Sequence, residues 1–273
     1  MRKHPLWKTL LDRNYFNSKD EAVRWILTGK VLVDGQPVDK AGSPTTETAD
    51  INIKEFDKKY VGKGGLKLEG ALDDFAIEIS GKVVLDAGAS AGGVTDCLLK
   101  RGAKKVYAVD AGFGQLMGSL RLDPRVVNLE KTNISDVLAE QLDPVPDIAT
   151  VDLSYLSLKK AIPINSPLLI KENEMICLVK PLFEVGDSEI RKSGRIDDPG
   201  IYRTVLSELA AFAESIGRVP AGITHSRVTG NKGTREFFLW TTSRQASQDG
   251  NRLKIMEQID AAVRSAIALP NYK

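Results

Sequence analysis

The stretch of residues 83–99 limits the folds open to this chain more than any other feature. It begins with residues 83–85, a short β-branched and apolar run that is typical of a strand buried on both faces, and Asp86 stands at the carboxyl end of that run. Three glycines follow, at Gly88, Gly92 and Gly93, and then the spacing of a helix. A strand, a glycine turn and a helix in this order predict the opening βαβ unit of a nucleotide-binding parallel sheet. In such a turn, glycines let the backbone approach a ligand that a Cβ would push away.

The sequence pattern of the glycine turn distinguishes between two kinds of ligand, a dinucleotide and S-adenosylmethionine. A dinucleotide-binding turn has the pattern Gly-x-Gly-x-x-Gly, and Ser90 replaces its middle glycine here. The pattern Asp-x-Gly-x-x-x-Gly-Gly fits better with the S-adenosylmethionine (SAM) loop of a class I methyltransferase. A second acid, Asp110, ends the next predicted strand 24 residues after Asp86, where a carboxylate usually accepts hydrogen bonds from ribose hydroxyls. The alternative is a parallel-sheet turn that binds no ligand.

The chain has 273 residues, enough for a large domain and a small one. Residues 1–58 predict a small α+β unit, in which Ser18 and Glu21 form a capping box that opens a helix and an Asp-Gly turn joins two short strands. Up to residue 30 this unit has seven Lys or Arg residues against three acids, whereas the net charge of the whole chain is only +2. Any nucleic-acid-binding face is therefore expected to be local.

Residues 59–63 are interpreted as a linker, and residues 64–273 as a second domain that begins with a helix carrying Lys67. Predicted strands occupy residues 83–85, 105–110, 126–129, 148–152 and 175–180, followed by an antiparallel pair at 222–225 and 236–240. Predicted late helices occupy residues 202–216 and 252–268. Alternating strands and helices predict an α/β fold with a mainly parallel, doubly wound, Rossmann-like sheet.

The cysteine content and the apolar runs bear on the compartment. Cys97 and Cys177 each lie inside a predicted regular element, which favours a reducing compartment and no disulfide framework. No apolar run reaches the ~18 residues that a membrane helix needs, and the N-terminus has no long apolar segment. These features predict a cytoplasmic protein without a membrane partner.

Charged residues follow the predicted strands at the edge where such sheets bind ligands. Asp152 ends the fourth predicted strand and Lys180 ends the fifth, so both are expected in the same cleft as the glycine turn. A lysine beside another cation in a cleft can act as a base, which suits methyl transfer to an alcohol. Histidine-based catalysis has few candidates, since the chain has only two histidines. A structural ion pair at the rim of the sheet is the alternative interpretation.

The N-terminal unit resembles the alpha-L RNA-binding motif, which presents basic helix residues to structured RNA. The resemblance rests on residues 15–22 and 29–38 and covers about 45 residues. It implies that residues 1–58 form an RNA-binding domain.

Nearly the whole chain is similar to the TlyA family, hemolysin-labelled ribose 2′-O-methyltransferases of ribosomal RNA with an FtsJ-like catalytic domain. The resemblance is carried by residues 64–72, 85–99, 101–110, 152–158 and 179–184. It implies a catalytic set of Lys67, Asp152, Lys180 and Glu236, and no metal. It also implies that SAM is bound by Asp86, Gly88, Ala89, Ser90, Gly92, Gly93, Asp110 and Asn133. The chain departs from the usual family residues at Lys63, Ala91, Leu182, Arg227 and Thr234.

The resemblance implies a SAM-dependent methyltransferase that acts on a cytidine ribose in small- or large-subunit rRNA. Lys180 would be the base or the group that orients the 2′-hydroxyl, Lys67 would favour loss of the Lys180 proton, and the carboxylates of Asp152 and Glu236 would hold the two ammonium groups. Two alternatives belong to other classes. One is a membrane-lytic protein, as the hemolysin label suggests, and the other is an RNA-binding protein with the same fold but without catalysis.

Overall fold

The N-terminal unit is a small α+β structure with a hydrophobic core of its own. Its elements are β1 (Lys3–Pro5), α1 (Leu6–Asp12), α2 (Lys19–Leu27), β2 (Val31–Val33), β3 (Gln36–Val38), β4 (Pro44–Thr46) and β5 (Ile51–Ile53). Helix α2 begins where the sequence predicts it, because the Ser18 hydroxyl accepts a hydrogen bond from the Glu21 N–H. The predicted hairpin joins β2 to β3, and β5 pairs with the other side of β2. Leu6, Leu10 and Ile26 are fully buried in the core of this unit.

Residues 41–50 are rich in Ser, Pro and Thr, a composition that predicts a loop, and this prediction is wrong in part. Strand β4 lies within this range and pairs antiparallel with β1, at the start of the chain. Both strands are three residues long and carry proline, so neither shows the alternation that would reveal a strand in the sequence. Helix α1 also ends earlier than the helical spacing up to Tyr15 predicts, and the Tyr15 hydroxyl instead donates to the Ile51 carbonyl at 3.1 Å.

The larger unit is a seven-stranded sheet with helices on both faces. Its elements are α3 (Lys63–Phe75), β6 (Val83–Ala87), α4 (Gly93–Lys100), β7 (Lys105–Asp110), α5 (Gly118–Arg121), β8 (Val126–Glu130), β9 (Ile148–Val151), α6 (Leu158–Asn165), β10 (Glu174–Val179), α7 (Pro181–Glu184), α8 (Ser188–Ser193), α9 (Pro199–Ser215), β11 (Val219–His225), β12 (Phe237–Thr242) and α10 (Asn251–Ala268). The strand order is β11-β12-β10-β9-β6-β7-β8, and β12 runs antiparallel to both of its neighbours. The mainly parallel, doubly wound sheet with a late antiparallel pair is therefore confirmed.

Strand β6 lies at the centre of this sheet and is buried over its whole length. Val83, Leu85 and Ala87 face the core beneath α6, α9 and α10, whereas Val84 faces the core beneath α3 and α4. This alternation also turns the Asp86 side chain towards α4, where it meets Thr95. Asp86 thus lies inside the strand, one residue before its end at Ala87, and not at the carboxyl end as predicted.

This computed structural model describes residues 3–13, 15–16, 18–46, 48–53, 59–154, 156–230, 233–243 and 251–269. Tyr155, which belongs to one of the segments similar to the TlyA family, lies outside these ranges. Within them, no helix combines the length and the apolar character that crossing a membrane requires.

Candidate active site

A large cleft lies outside the carboxyl ends of the parallel strands, where a doubly wound sheet binds its ligands. Its volume is about 1480 Å³. Sites for one small molecule usually measure about 300–1,000 Å³, so this cleft has room for two reactants. The wall includes eight of the twelve site residues predicted from the sequence, namely Lys67, Gly88, Ser90, Asp110, Asn133, Asp152, Lys180 and Glu236.

The first ion pair of the cleft joins Lys180 to Asp152. Asp152 follows β9 and Lys180 follows β10, and these two strands are parallel neighbours, so their ends bring the side chains together. The Lys180 Nζ lies 2.6 Å from the Asp152 Oδ1, and both side chains are about four-fifths buried. The same ammonium donates to the Leu153 carbonyl at 3.2 Å. The Lys180 Nζ thus lies close to two oxygens of the protein, and an ammonium group has three protons to donate.

The second ion pair joins Lys67 to Glu236. Glu236 immediately precedes β12, and the antiparallel register of β12 places Phe237 opposite Val179, next to Lys180. Lys67 extends from α3, and its Nζ lies 2.5 Å from the Glu236 Oε2. This pair is more buried than the first, with side-chain exposures of 12 and 7%. The four residues of the implied catalytic set therefore meet in one cleft as two lysine–carboxylate pairs.

Glycines at the start of α3 bring Lys67 to this position. A Cβ on Gly65 would lie 2.5 Å from the Tyr60 ring and 2.6 Å from the Gly93 carbonyl oxygen, so only glycine fits there. A Cβ on Gly93 would in turn lie 2.9 Å from the Gly62 carbonyl oxygen. These close contacts let the first turn of α3 pack directly on the start of α4, and Lys67 follows one turn later. Tyr60 itself is buried against the larger unit, although the sequence assigns it to the linker.

The β11–β12 connection is held along α3 by a further charged contact. Arg227, which stands where the TlyA family usually has proline, pairs with Asp74 at 2.7 Å and packs its stem on Gly70. Gly230 lies so close to Glu236 that a Cβ would be 2.2 Å from its carboxylate. Gly230 therefore packs closely against the carboxylate that Lys67 contacts.

The glycines of the turn after β6 are required by packing within the protein. Gly88 has φ +97°, and a Cβ there would lie 2.3 Å from the Asp152 carbonyl oxygen. Gly92 has φ +95°, and its Cβ would meet the Leu120 side chain at 2.3 Å. Close approach of two parts of the chain is thus sufficient to require glycine at both positions. The sequence-based reason, close approach to a ligand, stays a prediction.

The predicted cofactor residues divide into two groups. Gly88, Ser90, Asp110 and Asn133 form part of the cleft wall. Asp86, Ala89, Gly92 and Gly93 are among the buried residues behind the wall. The structure does not bring this second group to the cleft, and their contact with a cofactor stays a prediction.

The residues at this end of the cleft fit the nucleoside part of SAM. Asp110 accepts the Ser90 N–H on Oδ2 at 2.8 Å and the Gly112 N–H on Oδ1 at 2.7 Å. A carboxylate has about four acceptor positions, so two remain for the hydroxyls of a ribose. Ser90 has a left-handed backbone, φ +48°, which is uncommon outside glycine and is typical of residues fixed at functional sites. The negative charges of Asp110 and Asp152 also suit the sulfonium cation of SAM.

Asp86 is buried behind the cleft wall, where it links two elements of the larger unit. Its carboxylate is fully buried and accepts hydrogen bonds from the Thr95 hydroxyl at 2.6 Å and the Thr150 hydroxyl at 3.1 Å. Burial raises the pKa of the Asp86 carboxyl to about 7, and the negative charges of Asp152 and Asp110 act in the same direction. Asp86 thus joins the start of α4 to β9, next to the strand end that carries Asp152.

Several residues of the cleft wall were not predicted from the sequence. Gln115 accepts a hydrogen bond from the Ser90 hydroxyl at 3.2 Å, and Thr132 donates its N–H to the Asp110 carbonyl. The wall also includes the apolar or aromatic residues Leu156, Phe183, Ile196 and Tyr202. A strand end followed by an acid marks its own position in a sequence, but loop residues such as these carry no comparable pattern.

Known proteins resemble this chain over most of its length. Residues 60–243 match the FtsJ-like methyltransferase family. The chain is 38% identical to the 16S/23S rRNA (cytidine-2′-O)-methyltransferase TlyA of Mycobacterium tuberculosis, over 85% of this chain and 87% of that one. It is 35% identical to a Bacillus subtilis protein described as a candidate rRNA methyltransferase, YqxC, over 96% of this chain and 94% of that one. The solved structure of a candidate hemolysin from Streptococcus thermophilus is 31% identical, covers 97% of both chains and superposes with a TM-score of 0.72.

The family match spans the two ion pairs and the glycine turn alike, since Lys67, Gly88 and Glu236 all lie within residues 60–243. The similarity to the TlyA relatives extends over more than four-fifths of the chain. The chain therefore belongs to the FtsJ-like methyltransferases and, within them, to the TlyA family, which uses SAM as methyl donor.

Proposed function

We propose that this protein transfers a methyl group from SAM to the ribose 2′-hydroxyl of a cytidine in ribosomal RNA. The observation that carries the proposal is the meeting of two lysine–carboxylate pairs on the wall of a cleft with room for two reactants. The M. tuberculosis relative, with 38% identity, is named for this reaction. SAM supplies a methyl group that is already electrophilic. The protein then has to align the acceptor oxygen and take up its proton.

We assign to Lys180 the contact with the ribose 2′-hydroxyl. Its Nζ lies 2.6 Å from the Asp152 carboxylate and 3.2 Å from the Leu153 carbonyl oxygen, and Lys180 forms part of the cleft wall. A neutral Lys180 amine can take the hydroxyl proton, and the ammonium so formed is stabilised by the Asp152 carboxylate. A charged Lys180 instead orients the hydroxyl oxygen by donating to it. Both roles require the position that the pair with Asp152 provides.

The Lys67–Glu236 pair is the positioning and electrostatic partner of Lys180. Glu236 stands one residue before β12, and Lys180 one residue after β10, at the same edge of the two paired strands. The carboxylate of Glu236 holds the Lys67 ammonium at 2.5 Å, so that this second positive charge stays near the first without a buried charge being left unpaired.

In this proposal the N-terminal unit contributes to binding of the RNA. Lys19 lies 4.7 Å from the Trp7 ring and Lys30 lies 5.7 Å from the Trp25 ring, so cations and aromatic surfaces are presented together. Such surfaces bind phosphates and stacked bases. With rRNA as substrate, the protein acts in the cytoplasm on ribosomal subunits or their RNA.

The proposal is tested by incubating the protein and labelled SAM with small and large ribosomal subunits from cells that lack this protein. We expect label in the rRNA of at least one subunit, and nuclease digestion should release it as 2′-O-methylcytidine. The Lys67→Met variant, which removes one charge at similar volume, is the matched control and should transfer little. Label on a base, or no transfer to either subunit, would contradict the proposal.

A further inference from the structure

Phe113 is a large aromatic residue that the active site does not use. It is 68% exposed and stands in the turn after β7, two residues past Ala111 on the cleft wall. The Lys131 ammonium lies 4.0 Å from the centroid of its ring. One face of the ring therefore carries a cation, while most of the side chain remains open to solvent. Lys131 in turn immediately precedes Thr132, another residue of the cleft wall.

The turn that carries Phe113 is fixed on both sides. The Lys131 N–H donates to the Gly112 carbonyl at 2.8 Å, and the Gly112 N–H donates to Asp110 at 2.7 Å. On the other side, the N–H of Gln115 donates to the Glu130 carboxylate at 2.6 Å. An exposed aromatic ring on a fixed turn binds a flat partner with little loss of conformational entropy.

Lys131 has an unusual backbone that serves this arrangement. Its φ is +60°, in the left-handed region that non-glycine residues rarely occupy. Such conformations cost free energy and cluster where a side chain has to be aimed at a ligand. Here the strained residue is the one whose ammonium covers the Phe113 ring.

A second cation approaches the turn from the N-terminal unit. The Arg24 Nη1 lies 3.3 Å from the position that a Cβ on Gly114 would occupy. An open aromatic face flanked by Lys131 and Arg24 is suited to a nucleotide, because a base can stack on the ring while its phosphates meet the cations. Neither Phe113 nor Lys131 nor Arg24 is among the described residues of the cleft wall.

We propose that Phe113 is a stacking platform for a nucleobase of the substrate RNA next to the methylated nucleotide, with Lys131 and Arg24 contacting the adjoining phosphates. This inference rests on the proposed function, since it takes the RNA to enter the same cleft. The platform sets the affinity for RNA and the register of the strand, and it takes no part in the transfer itself.

The test compares Phe113→Ala, Phe113→Trp and Lys131→Ala with the full-length wild type on ribosomal subunits that lack the methyl group. Loss of one stacked base should raise the KM for RNA by about 5- to 100-fold in Phe113→Ala, while the rate at saturating RNA and the affinity for SAM stay near those of the wild type. Phe113→Trp keeps a stacking face and should restore the KM. Lys131→Ala should remove about one phosphate contact and so reduce the slope of log K for RNA binding against log salt concentration by about 1.

Two matched controls lie elsewhere on the surface. Leu122→Ala removes an apolar side chain that is even more exposed, 81%, and Lys104→Ala removes an exposed lysine that precedes β7, at the opposite edge of the sheet. Neither should change the KM for RNA. A drop in SAM affinity in Phe113→Ala with unchanged KM for RNA would overturn the inference and assign Phe113 to the cofactor. An unchanged KM for RNA in both Phe113→Ala and Lys131→Ala would also overturn it. In both cases the wild type still methylates rRNA, whereas failure of the proposed function abolishes wild-type transfer.

Discussion

The glycine turn (residues 86–93) and the charged cluster (Lys67, Asp152, Lys180 and Glu236) border the same cleft, but they are built in different ways. The turn comes from one short stretch of sequence. Its glycines are needed because other segments of the same chain pack closely against its backbone. The cluster is assembled from four distant places and works through side-chain charge. Changes in the turn should therefore act mainly on stability, and changes in the cluster mainly on rate.

Replacing Lys180 by alanine should give the largest effect, a loss of about 10²- to 10⁴-fold in single-turnover rate, because the group that handles the acceptor proton is removed. SAM affinity should stay near the wild-type value, since Lys180 faces the acceptor. Lys180→Arg should fail as well, because a guanidinium stays charged and cannot accept a proton. Rates from labelled methyl transfer, together with calorimetric titration of SAM, measure both quantities.

The control for Lys180 is Lys159→Ala on α6, which also removes a lysine from an ion pair, with Glu208 at 3.0 Å. It should leave the rate unchanged. If Lys180→Arg transfers methyl groups at the wild-type rate, Lys180 is not a base and its part is limited to orienting the hydroxyl. If Lys180→Ala loses stability and keeps its rate, the pair with Asp152 is a structural contact at the rim of the sheet.

Gly88→Ala tests the other side of the comparison. Its Cβ would lie 2.3 Å from the Asp152 carbonyl oxygen at φ +97°, so both overpacking and backbone strain are expected. We expect the free energy of unfolding to fall by about 2–5 kcal/mol, as the sum of the two costs. Gly81→Ala is the matched control, since Gly81 also has a positive φ, +74°, but no atom lies within 4 Å of the added Cβ.

Urea unfolding of the two glycine variants separates strain from clash. Gly81→Ala should lose about 1 kcal/mol, the cost of the left-handed backbone alone. If Gly88→Ala matches Gly81→Ala in stability and loses SAM binding, the glycine makes room for the ligand after all. The comparison between turn and cluster would then no longer hold for Gly88.

The glycine turn shows how much a local pattern can predict. Apolar runs and strand-end acids gave the five parallel strands and the late antiparallel pair, because hydrophobic periodicity follows directly from burial. The reason for Gly88 could not be read from the sequence, since the atom it must avoid belongs to Asp152, a neighbour only in the folded sheet. The position of Asp86 within β6, facing Thr95 and Thr150, also depends on which face each residue turns to.

The charged cluster shows the reverse. Parallel strands end at one edge, so the sequence places Asp152 and Lys180 in one cleft, but it does not say which lysine meets which carboxylate. The pair of Lys67 with Glu236 depends on the packing of α3 against α4 and on the β10–β12 register. Long-range contacts of this kind leave no local pattern. In this chain only the resemblance to the TlyA family brought the four residues together.

Asp110→Ala should have an intermediate effect, on the cofactor alone. The variant loses charge-assisted hydrogen bonds to the ribose of SAM, and we expect its binding free energy to weaken by about 1–3 kcal/mol. The Ser90 and Gly112 N–H groups also lose their acceptor, so Asp110→Asn serves as a control that keeps one oxygen for them. Unchanged SAM affinity in Asp110→Ala, measured by calorimetry, would remove Asp110 from the cofactor site.

Asp86→Asn should give the smallest effect, and one that depends on pH. Burial raises the pKa of the Asp86 carboxyl from 3.8 to about 7. Between these values the folded protein holds a proton that the unfolded chain has released, so this residue makes the protein less stable as pH rises from about 4 to about 7, with no further loss above that. The asparagine lacks this titration and can still bond both threonine hydroxyls. Its melting temperature should therefore gain on the wild type by about 2–5 °C between pH 6 and pH 7.5. Asp39→Asn, at an exposed aspartate, is the control. A difference between Asp86→Asn and wild type that stays constant over this range would show that the buried carboxyl behind the glycine turn stays charged throughout, and that the turn, like the cluster, holds a fixed charge.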